Sequence, residues 1–271
     1  MKLIARDITY HFPRRPLIMG IINLVADSFS GDGTTDIATA LAKAHALVAD
    51  GADIIDIGAE SARTNRAAIP EDEEAAQLVR FIERWESSVP LSINTWRPAV
   101  ARSVLPRGGH ILNDIGALPT DENARICADT GAALLIMHTI GQPKVPHTHI
   151  GYDDIMARLD EFFSEKLALA EKAGVPSDAT ILDPGIDFAK QRDDNLRIYR
   201  ELEKLHRFHR PILLPVSRKT VIGDVLGVPA PERDPGSVAC LIAGVLRGAQ
   251  IYRVHNARAA AQAAQSIYAV G

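Results

Sequence analysis

The sequence predicts an α/β fold of the (β/α)8 class, the TIM barrel, on three observations. Eight short apolar runs alternate with stretches of helical periodicity, and near-continuous apolar runs are typical of parallel strands that are buried on both faces. The 271 residues match the roughly 250 residues of one such barrel. Each apolar run stops at a polar or charged residue, and barrels build their sites from residues at strand ends. We therefore predict one domain over residues 1–271.

The first half of the chain begins with a short segment, residues 1–10, that predicts a hairpin or plug ahead of the barrel. The barrel starts near Leu17 with a strand over residues 18–22. After a loop rich in Gly and Ser, apolar residues at helical spacing predict a helix with Asp36 as its N-cap and Gly51 at its end. The next elements are strand 53–57, helix 71–85, strand 91–93, helix 98–105, strand 110–112 and helix 121–129.

The second half continues the same alternation, which implies right-handed crossovers and closure at eight strands. Residues 141–151 hold two prolines and two histidines and predict a long loop over the barrel mouth. The elements are strand 133–137, helix 152–173, strand 180–182, helix 193–206, strand 212–214, helix 238–247, strand 251–254 and helix 257–269. A further helix-like stretch follows Thr220.

Composition excludes several classes of function. A net charge of −4 gives no reason to expect a nucleic-acid partner or an anionic membrane surface, and no apolar run approaches the ~18 residues of a membrane span. Cys127 and Cys240 lie in helix-like, apolar surroundings, which predicts two buried free thiols in a reducing compartment. We expect a cytoplasmic protein.

The polar residues at the strand ends are the candidates for a site. A Gly-containing loop with carboxylates follows Asn23, which is typical of a lid that meets a phosphate or a metal, or of a polar surface loop with a helix cap. Asp183 can accept two parallel hydrogen bonds from an amidine-like heterocycle edge, or it can cap backbone amides. The candidates are Asn23, Asp56, Glu60, Asn94, Asn113, Asp114, His138, Asp183, Ser217, Arg218, Lys219, Arg253 and His255.

Two of these strand ends favour the recognition of an anion. Ser217-Arg218-Lys219-Thr220 combines cations, hydroxyls and backbone N–H groups ahead of a helix-like stretch. Arg253 and His255 add a second cationic strand end, although a solvated salt bridge is the alternative for Arg253. His138 alone is more typical of a hydrogen-bonded structural residue. The nine histidines form no recognisable zinc set.

Taken together, six segments of the chain resemble the dihydropteroate synthase family from Ile18 to about Ala263. They are Met19-Gly20-Ile21-Ile22-Asn23 with Asp27-Ser28-Phe29-Ser30, residues 51–58 with Glu60-Ser61, Asn113-Asp114-Ile115, Leu182-Asp183-Pro184-Gly185-Ile186, Ser217-Arg218-Lys219 with Ile222-Gly223, and Arg253-Val254-His255. The resemblance implies a barrel that condenses 6-hydroxymethyl-7,8-dihydropterin diphosphate with p-aminobenzoate and releases diphosphate. It also implies a homodimer through helices of the C-terminal half.

The resemblance also implies a role for each site residue. Asn94, Asn113, Asp183 and Lys219 would hold the pterin, with Met137 and Asp56 beside it. Arg63, Arg253 and His255 would take the diphosphate, and Asn23 would meet Mg2+. Phe29, Arg63, Phe188 and Ser217 would shape the aminobenzoate pocket. The catalytic residues would be Asp183, Lys219, Arg253 and His255, and no protein nucleophile is required.

The chain departs from the family pattern most sharply at Asn94, where the family has Asp. A charge-assisted hydrogen bond lost there would cost about 1.5–3 kcal/mol, or roughly ten- to a hundredfold in rate if the bond acts only in the transition state. The other departures surround the second substrate. They are Val25, Ala26, Ala62, Pro215, Asp187, Ala189 and Asn256.

These observations leave three functional hypotheses. The leading one is a divergent dihydropteroate synthase, with sulfonamide insensitivity as a consequence of its altered aminobenzoate loops. The second is a pterin-binding paralogue that lacks synthase activity. The third is an enzyme like the methyltetrahydrofolate methyltransferases, which have no diphosphate subsite; Asn23, Arg253 and His255 argue against it.

Overall fold

A computed structural model of the protein describes residues 1–25, 33–61, 67–145 and 150–270. Its strands form a hairpin and an eight-stranded barrel. An antiparallel hairpin, β1 (Lys2–Ala5) and β2 (Ile8–His11), precedes the barrel. The barrel strands are β3 (Leu17–Asn23), β4 (Ile54–Gly58), β5 (Leu91–Asn94), β6 (Gly109–Asp114), β7 (Ala133–Met137), β8 (Thr180–Asp183), β9 (Leu213–Pro215) and β10 (Ile251–Val254). They pair in parallel in the order β8-β7-β6-β5-β4-β3-β10-β9, and a bridge between Leu182 and Ile212 closes the ring. The predicted (β/α)8 barrel is confirmed.

The helices surround this barrel, one or two after each strand. They are α1 (Ile37–Ala49), α2 (Glu71–Ile82), α3 (Pro98–Val104), α4 (Glu122–Thr130), α5 (Ile155–Lys172), α6 (Arg192–Arg200), α7 (Thr220–Leu226), α8 (Asp234–Leu246) and α9 (Ala257–Val270). Asp36 caps α1 as predicted, since its carboxylate accepts the Thr39 N–H at 2.8 Å. The helix predicted over 193–206 ends at Arg200 and gives way to a 3-10 turn, Leu202–Phe208, and α8 begins four residues earlier than predicted.

The inside of the barrel is filled by alternate residues of the strands. Leu17, Ile54, Ile111 and Ile251 belong to one buried cluster, which also takes in Leu3 of the hairpin. Because side chains alternate along a strand, the opposite set faces the helices. The hairpin therefore plugs the amino-terminal end of the barrel, as predicted, and leaves the carboxyl end for a site.

The two cysteines are free thiols, as predicted, but only Cys127 is fully buried, while Cys240 is half-buried. Within the described part of the chain, no helix is both long and apolar enough to cross a membrane.

Candidate active site at the carboxyl ends of the strands

Four site residues stand two positions after buried residues of the barrel interior. Asp56 follows Ile54, Asn113 follows Ile111, Asp183 follows Ile181 and Arg253 follows Ile251. The period of two along a strand puts these polar side chains on the inward face, one layer nearer the mouth. The register agrees, because Asn94 pairs with Asn113 and Met137 pairs with Asp183.

Asp114 lies on the opposite face from its neighbour Asn113. It is fully buried and accepts the Asn123 amide and the Gly116 N–H, both at 2.8 Å. Burial raises the pKa of its carboxyl to about 6. Asp114 therefore joins β6 to α4 and is not part of the site.

Asp56 is the centre of a buried hydrogen-bond network. Its carboxylate accepts the Ser92 hydroxyl at 2.6 Å, Arg253 Nε at 2.7 Å and the Asn113 amide at 3.1 Å, and Asn94 Nδ2 lies 3.5 Å away. The Asp56 side chain has no exposed surface. The four predicted residues Asp56, Asn94, Asn113 and Arg253 are thus brought together, and Ser92 joins them.

Asp183 is a buried carboxylate at the end of β8. Its Oδ1 accepts the Gly185 N–H at 2.7 Å, so it caps a backbone amide as one of the two sequence interpretations proposed. Burial raises the pKa of Asp183 to about 6, against the lowering effect of the Gly185 hydrogen bond and of Lys219, Lys190 and Arg253. Ionisation of this buried carboxylate costs free energy in the free protein. A ligand that donates hydrogen bonds to the carboxylate would offset that cost.

Lys219 extends toward the loop that follows Asp183. Its Nζ donates to the Ile186 carbonyl at 2.8 Å and lies 5.0 Å from the centroid of the Phe188 ring. Burial lowers the pKa of Lys219. Lys219 and Phe188 therefore lie together on one side of the mouth, where the charge of Lys219 acts on Asp183.

Some of the groups ahead of α7 that were predicted to bind an anion already bind carboxylates of the chain itself. Asp187 accepts the backbone N–H of Thr220 and, at 3.3 Å, that of Val221. Arg218 pairs with Asp234 at 2.8 Å. Asp187 has a φ of 68°, a conformation in which Asp is tolerated better than most residues. It is one of the departures from the family pattern, and it places a negative charge beside Lys219.

Ser217 and His255 meet at the ends of β9 and β10. The Ser217 hydroxyl lies 2.8 Å from His255 Nδ1 and accepts the His255 N–H at 3.2 Å. Asn23 ends β3, where it pairs with Gly58 of β4, and its side chain is partly exposed. Around the described residues, no group of three or more His, Cys, Asp or Glu side chains could hold a metal ion.

Several predicted residues lie outside the described part of the chain. Phe29 and Arg63 are the two with assigned roles, and the remaining ones are Asp27, Ser28, Ser30, Ala62, His147 and His149. Val25 is described and half-buried, whereas its neighbour Ala26 is not described.

Glu60 is tied up in ion pairs with other loops, although its position after β4 indicated a residue of the site. Its carboxylate pairs with Lys144 at 2.8 Å and with Arg97 at 3.5 Å, and it accepts the Ile69 N–H at 2.8 Å. Arg97 also pairs with the fully buried Glu74 at 2.9 Å. Glu60 therefore ties the loop after β4 to the loop after β7.

Sequence reasoning missed Lys190, a half-buried residue beside His138. The lysine Nζ lies 2.8 Å from His138 Nδ1, and His138 has no exposed surface. The structural interpretation of His138 is confirmed. Lys190 follows Phe188 by two positions in a loop, where a lysine is unremarkable, so the one available signal was its place after the Asp183 turn.

Buried carboxylates, amides and cations at the mouth of a barrel are typical of enzymes that bind a heterocycle. Residues 19–255 match the family described as pterin binding enzymes. The dihydropteroate synthase of Escherichia coli K12 is 35% identical over 99% of this chain and 96% of its own length. The Yersinia pestis dihydropteroate synthase, solved with a sulfonamide drug complex, superimposes with a TM-score of 0.93 at 35% identity over 100% of this chain and 98% of that chain. The Xanthomonas albilineans dihydropteroate synthase with 4-aminobenzoic acid gives a TM-score of 0.89 at 33% identity over 99% of this chain and 97% of that chain. The chain belongs to the dihydropteroate synthase family.

Proposed function

We propose that this protein condenses 6-hydroxymethyl-7,8-dihydropterin diphosphate with p-aminobenzoate. The observation that carries the proposal is the joint placement of Asp56, Asn113, Asp183, Lys219 and Arg253 around one barrel mouth. In the reaction the methylene–oxygen bond of the pterin substrate breaks, its electron pair leaves with diphosphate, and the aminobenzoate nitrogen bonds to the methylene carbon and loses a proton.

The pterin subsite is supported by the chemistry of Asp183. An ionised carboxylate in a buried site can accept two N–H bonds from the amino-pyrimidine edge of a pterin, and charge-assisted pairs of this kind are about twice as strong as neutral ones. Asn113 and Lys219 add an amide and a cation, and Met137 supplies an apolar surface. Lys219 is the cation that we expect to assist the departing charge, because it lies against Phe188 and the Asp183 loop.

The diphosphate subsite is supported by Arg253 and His255. The ion pair with Asp56 uses Nε of Arg253, and within the described part of the chain no protein acceptor competes with an anion for its two terminal nitrogens. By the family pattern, we expect Arg63, which lies outside the described residues, to join this subsite. Preorganised cations at the position where charge develops lower the barrier of such a step.

We propose that Mg2+ is bound with the diphosphate, with Asn23 as a protein ligand. The amide oxygen of Asn23 is a hard donor at the edge of the mouth, and Mg2+ usually combines few protein ligands with waters and substrate phosphates. The ion would supply positive charge to the leaving diphosphate. Isothermal titration with pyrophosphate should show tighter binding with Mg2+ present, and Asn23→Ala should reduce that difference.

The aminobenzoate subsite is assigned to Ser217, Phe188, Phe29 and Arg63. Asp187 is one of the departures from the family pattern on this side of the mouth, and we propose that these departures weaken the affinity for sulfonamides relative to that for p-aminobenzoate. Synthase assays over a sulfonamide concentration series, run beside the Asp187→Gly variant, test this proposal. A wild type that is inhibited as strongly as the variant would exclude it.

The deciding experiment is a coupled assay of the pterin diphosphate with p-aminobenzoate. Turnover by the wild type, lost in Lys219→Met and kept in the control Lys172→Met at an exposed position in the last turn of α5, is the expected result. Asn94 favours one alternative, a pterin-binding protein without synthase activity. Pterin binding without any turnover in either the wild type or Asn94→Asp would establish that alternative.

We also propose a homodimer that uses helices of the C-terminal half. Val225 and Leu226 of α7 are 52% and 50% exposed, and Leu246 at the end of α8 is 69% exposed, which is unusual for large apolar side chains. Light scattering after size exclusion should give twice the chain mass, and Leu246→Glu should shift the equilibrium toward the monomer. The free thiols Cys127 and Cys240 agree with a cytoplasmic location.

A further inference from the structure

Lys190 is a half-buried lysine whose ammonium group is surrounded by acceptors. Its Nζ lies 2.8 Å from His138 Nδ1, 3.0 Å from the carbonyl oxygens of Gly185 and Phe188, and 3.2 Å from the His138 carbonyl oxygen. Burial lowers the pKa of His138 to about 2, so its ring is neutral and Nδ1 can accept a hydrogen bond. An ammonium group has three donors, and four acceptors at these distances favour its charged form over a neutral amine.

The acceptors of Lys190 belong to the two segments that flank Asp183. The His138 N–H donates to the Asp183 carbonyl at 2.8 Å, and the Gly185 N–H donates to the Asp183 carboxylate at 2.7 Å. Gly185 has a φ of 69°, and a Cβ at that position would overlap the His138 carbonyl oxygen. Lys190 therefore lies where β7 and the loop after β8 approach each other closely, and its charge acts on the Asp183 carboxylate.

We propose that Lys190 is a positioning residue for the pterin subsite: it fixes the loop between Asp183 and Phe188 and supplies a positive charge that keeps Asp183 ionised. The proposal deepens the function above and rests on it for the identity of the ligand. Lys219 and Arg253 also act on Asp183, but both are expected to touch substrate. Lys190 is hydrogen-bonded to backbone carbonyls and to His138, so it acts through other groups.

The charges around this cluster set its pH dependence. Lys190 faces Asp183, Lys219, Asp194 and Asp187, and burial lowers its pKa to about 7. Asp183 faces Lys219, Lys190 and Arg253, with a pKa of about 6. His138 faces Lys190 and Arg158. Pterin binding should therefore weaken as pH falls through about 6, when Asp183 takes up a proton, and again as pH rises past about 7, when Lys190 loses one.

The first test needs no ligand, which separates it from the proposed function. The titration of the Asp183 side chain is followed by carbon-13 NMR in the free wild type, in Lys190→Met and in Lys190→Gln. Glutamine can still donate hydrogen bonds to two carbonyls but carries no charge. We expect the pKa of Asp183 to rise by about one unit in both variants, because each loses the same nearby charge. An unchanged pKa in both, or a wild-type value in Lys190→Gln, would overturn the role of the charge.

The second test measures the binding of 6-hydroxymethylpterin by fluorescence from pH 5 to pH 9. Both variants should bind about threefold more weakly at pH 6.5 and close to tenfold more weakly at pH 5, because the acid limb of the profile moves by about one pH unit toward higher pH. Lys166→Met is the matched control, since Lys166 is also mostly buried but pairs with Glu165 on α5. A wild-type profile in Lys190→Met would overturn the proposal. A wild type that binds no pterin would overturn the proposed function while the NMR result still decides the link between Lys190 and Asp183.

Discussion

Arg253 Nε lies 2.7 Å from Asp56 Oδ2, and this ion pair joins two residues that are 197 positions apart in the chain. It links β10 to β4 across β3, which lies between them in the barrel. The Asp56 side chain is fully buried and that of Arg253 is 21% exposed. The pair therefore joins β4 and β10 at the barrel mouth and sets the orientation of the guanidinium group.

Replacement of Asp56 by Asn should destabilise the protein by about 3 kcal/mol, because it leaves a largely buried Arg253 without its counter-charge. The free energy of unfolding, measured in urea at pH 7, checks this value. Asp50→Asn is the control: Asp50 pairs with Arg258, which is 71% exposed, and exposed pairs contribute about 1 kcal/mol or less. Equal effects of the two substitutions would contradict the prediction.

Replacement of Asn94 by Asp should raise synthase turnover by roughly ten- to a hundredfold, because it restores a charge-assisted hydrogen bond to the pterin. The gain should have a cost in the free protein. Asn94 Nδ2 lies 3.5 Å from Asp56 Oδ2, so the variant brings two carboxylates together and should lower the free energy of unfolding. Single-turnover rates and urea unfolding check the two effects.

Asn94→Ala serves as the control for this variant, since it removes the amide and adds no charge. It should not raise turnover. A gain in turnover with alanine would mean that the amide obstructs the substrate, and the carboxylate would then have no special role.

The barrel and the inward layer of the site could be predicted from the sequence because both depend on local periodicity. Apolar runs of three to five residues mark the strands, and the period of two places Asp56, Asn113 and Asp183 on the same face as the interior. The partners could not be predicted in the same way. That Arg253 pairs with Asp56 depends on the order of strands around the ring.

The contacts of the loops were the hardest to predict. Asp187 reaches the N–H groups ahead of α7 because its backbone adopts a φ of 68°, and Lys190 reaches His138 because Gly185 permits a tight turn. Neither conformation has a periodic signal in the sequence. Asp114 was a different kind of error: its position beside Asn113 indicated a site residue, although the same period of two along the strand turns it toward α4.

Asp114 should give the protein a measurable pH dependence of stability. Burial raises its pKa to about 6, so between about pH 4 and pH 6 the folded state holds a proton that the unfolded state has lost. The free energy of unfolding contributed by this group therefore falls as pH rises through that window. Compared with Asp114→Asn, the wild type should lose about 1–3 kcal/mol between pH 4.5 and pH 7.

Urea unfolding at the two pH values checks this difference. Asp183 titrates in the same range, but it is present in both proteins and cancels in the comparison. Parallel pH profiles for the wild type and Asp114→Asn would show that Asp114 is ionised throughout.

Replacement of Gly185 by Ala should be far more harmful than replacement of Gly227 by Ala, although the two glycines have nearly the same backbone conformation. Their φ values are 69° and 70°, so each alanine carries the same left-handed strain of about 1–2 kcal/mol. A Cβ on Gly227 meets no atom within 4 Å, whereas a Cβ on Gly185 would overlap the His138 carbonyl oxygen. Gly185→Ala must therefore push β7 away from the loop that carries Asp183 and Phe188.

We expect Gly185→Ala to lose at least about 2 kcal/mol more than Gly227→Ala in urea unfolding. We also expect Gly185→Ala to lose pterin binding, while Gly227→Ala keeps it. Similar losses in both variants would mean that backbone strain alone acts at Gly185 and that the close approach to His138 does not hold the pterin subsite in place.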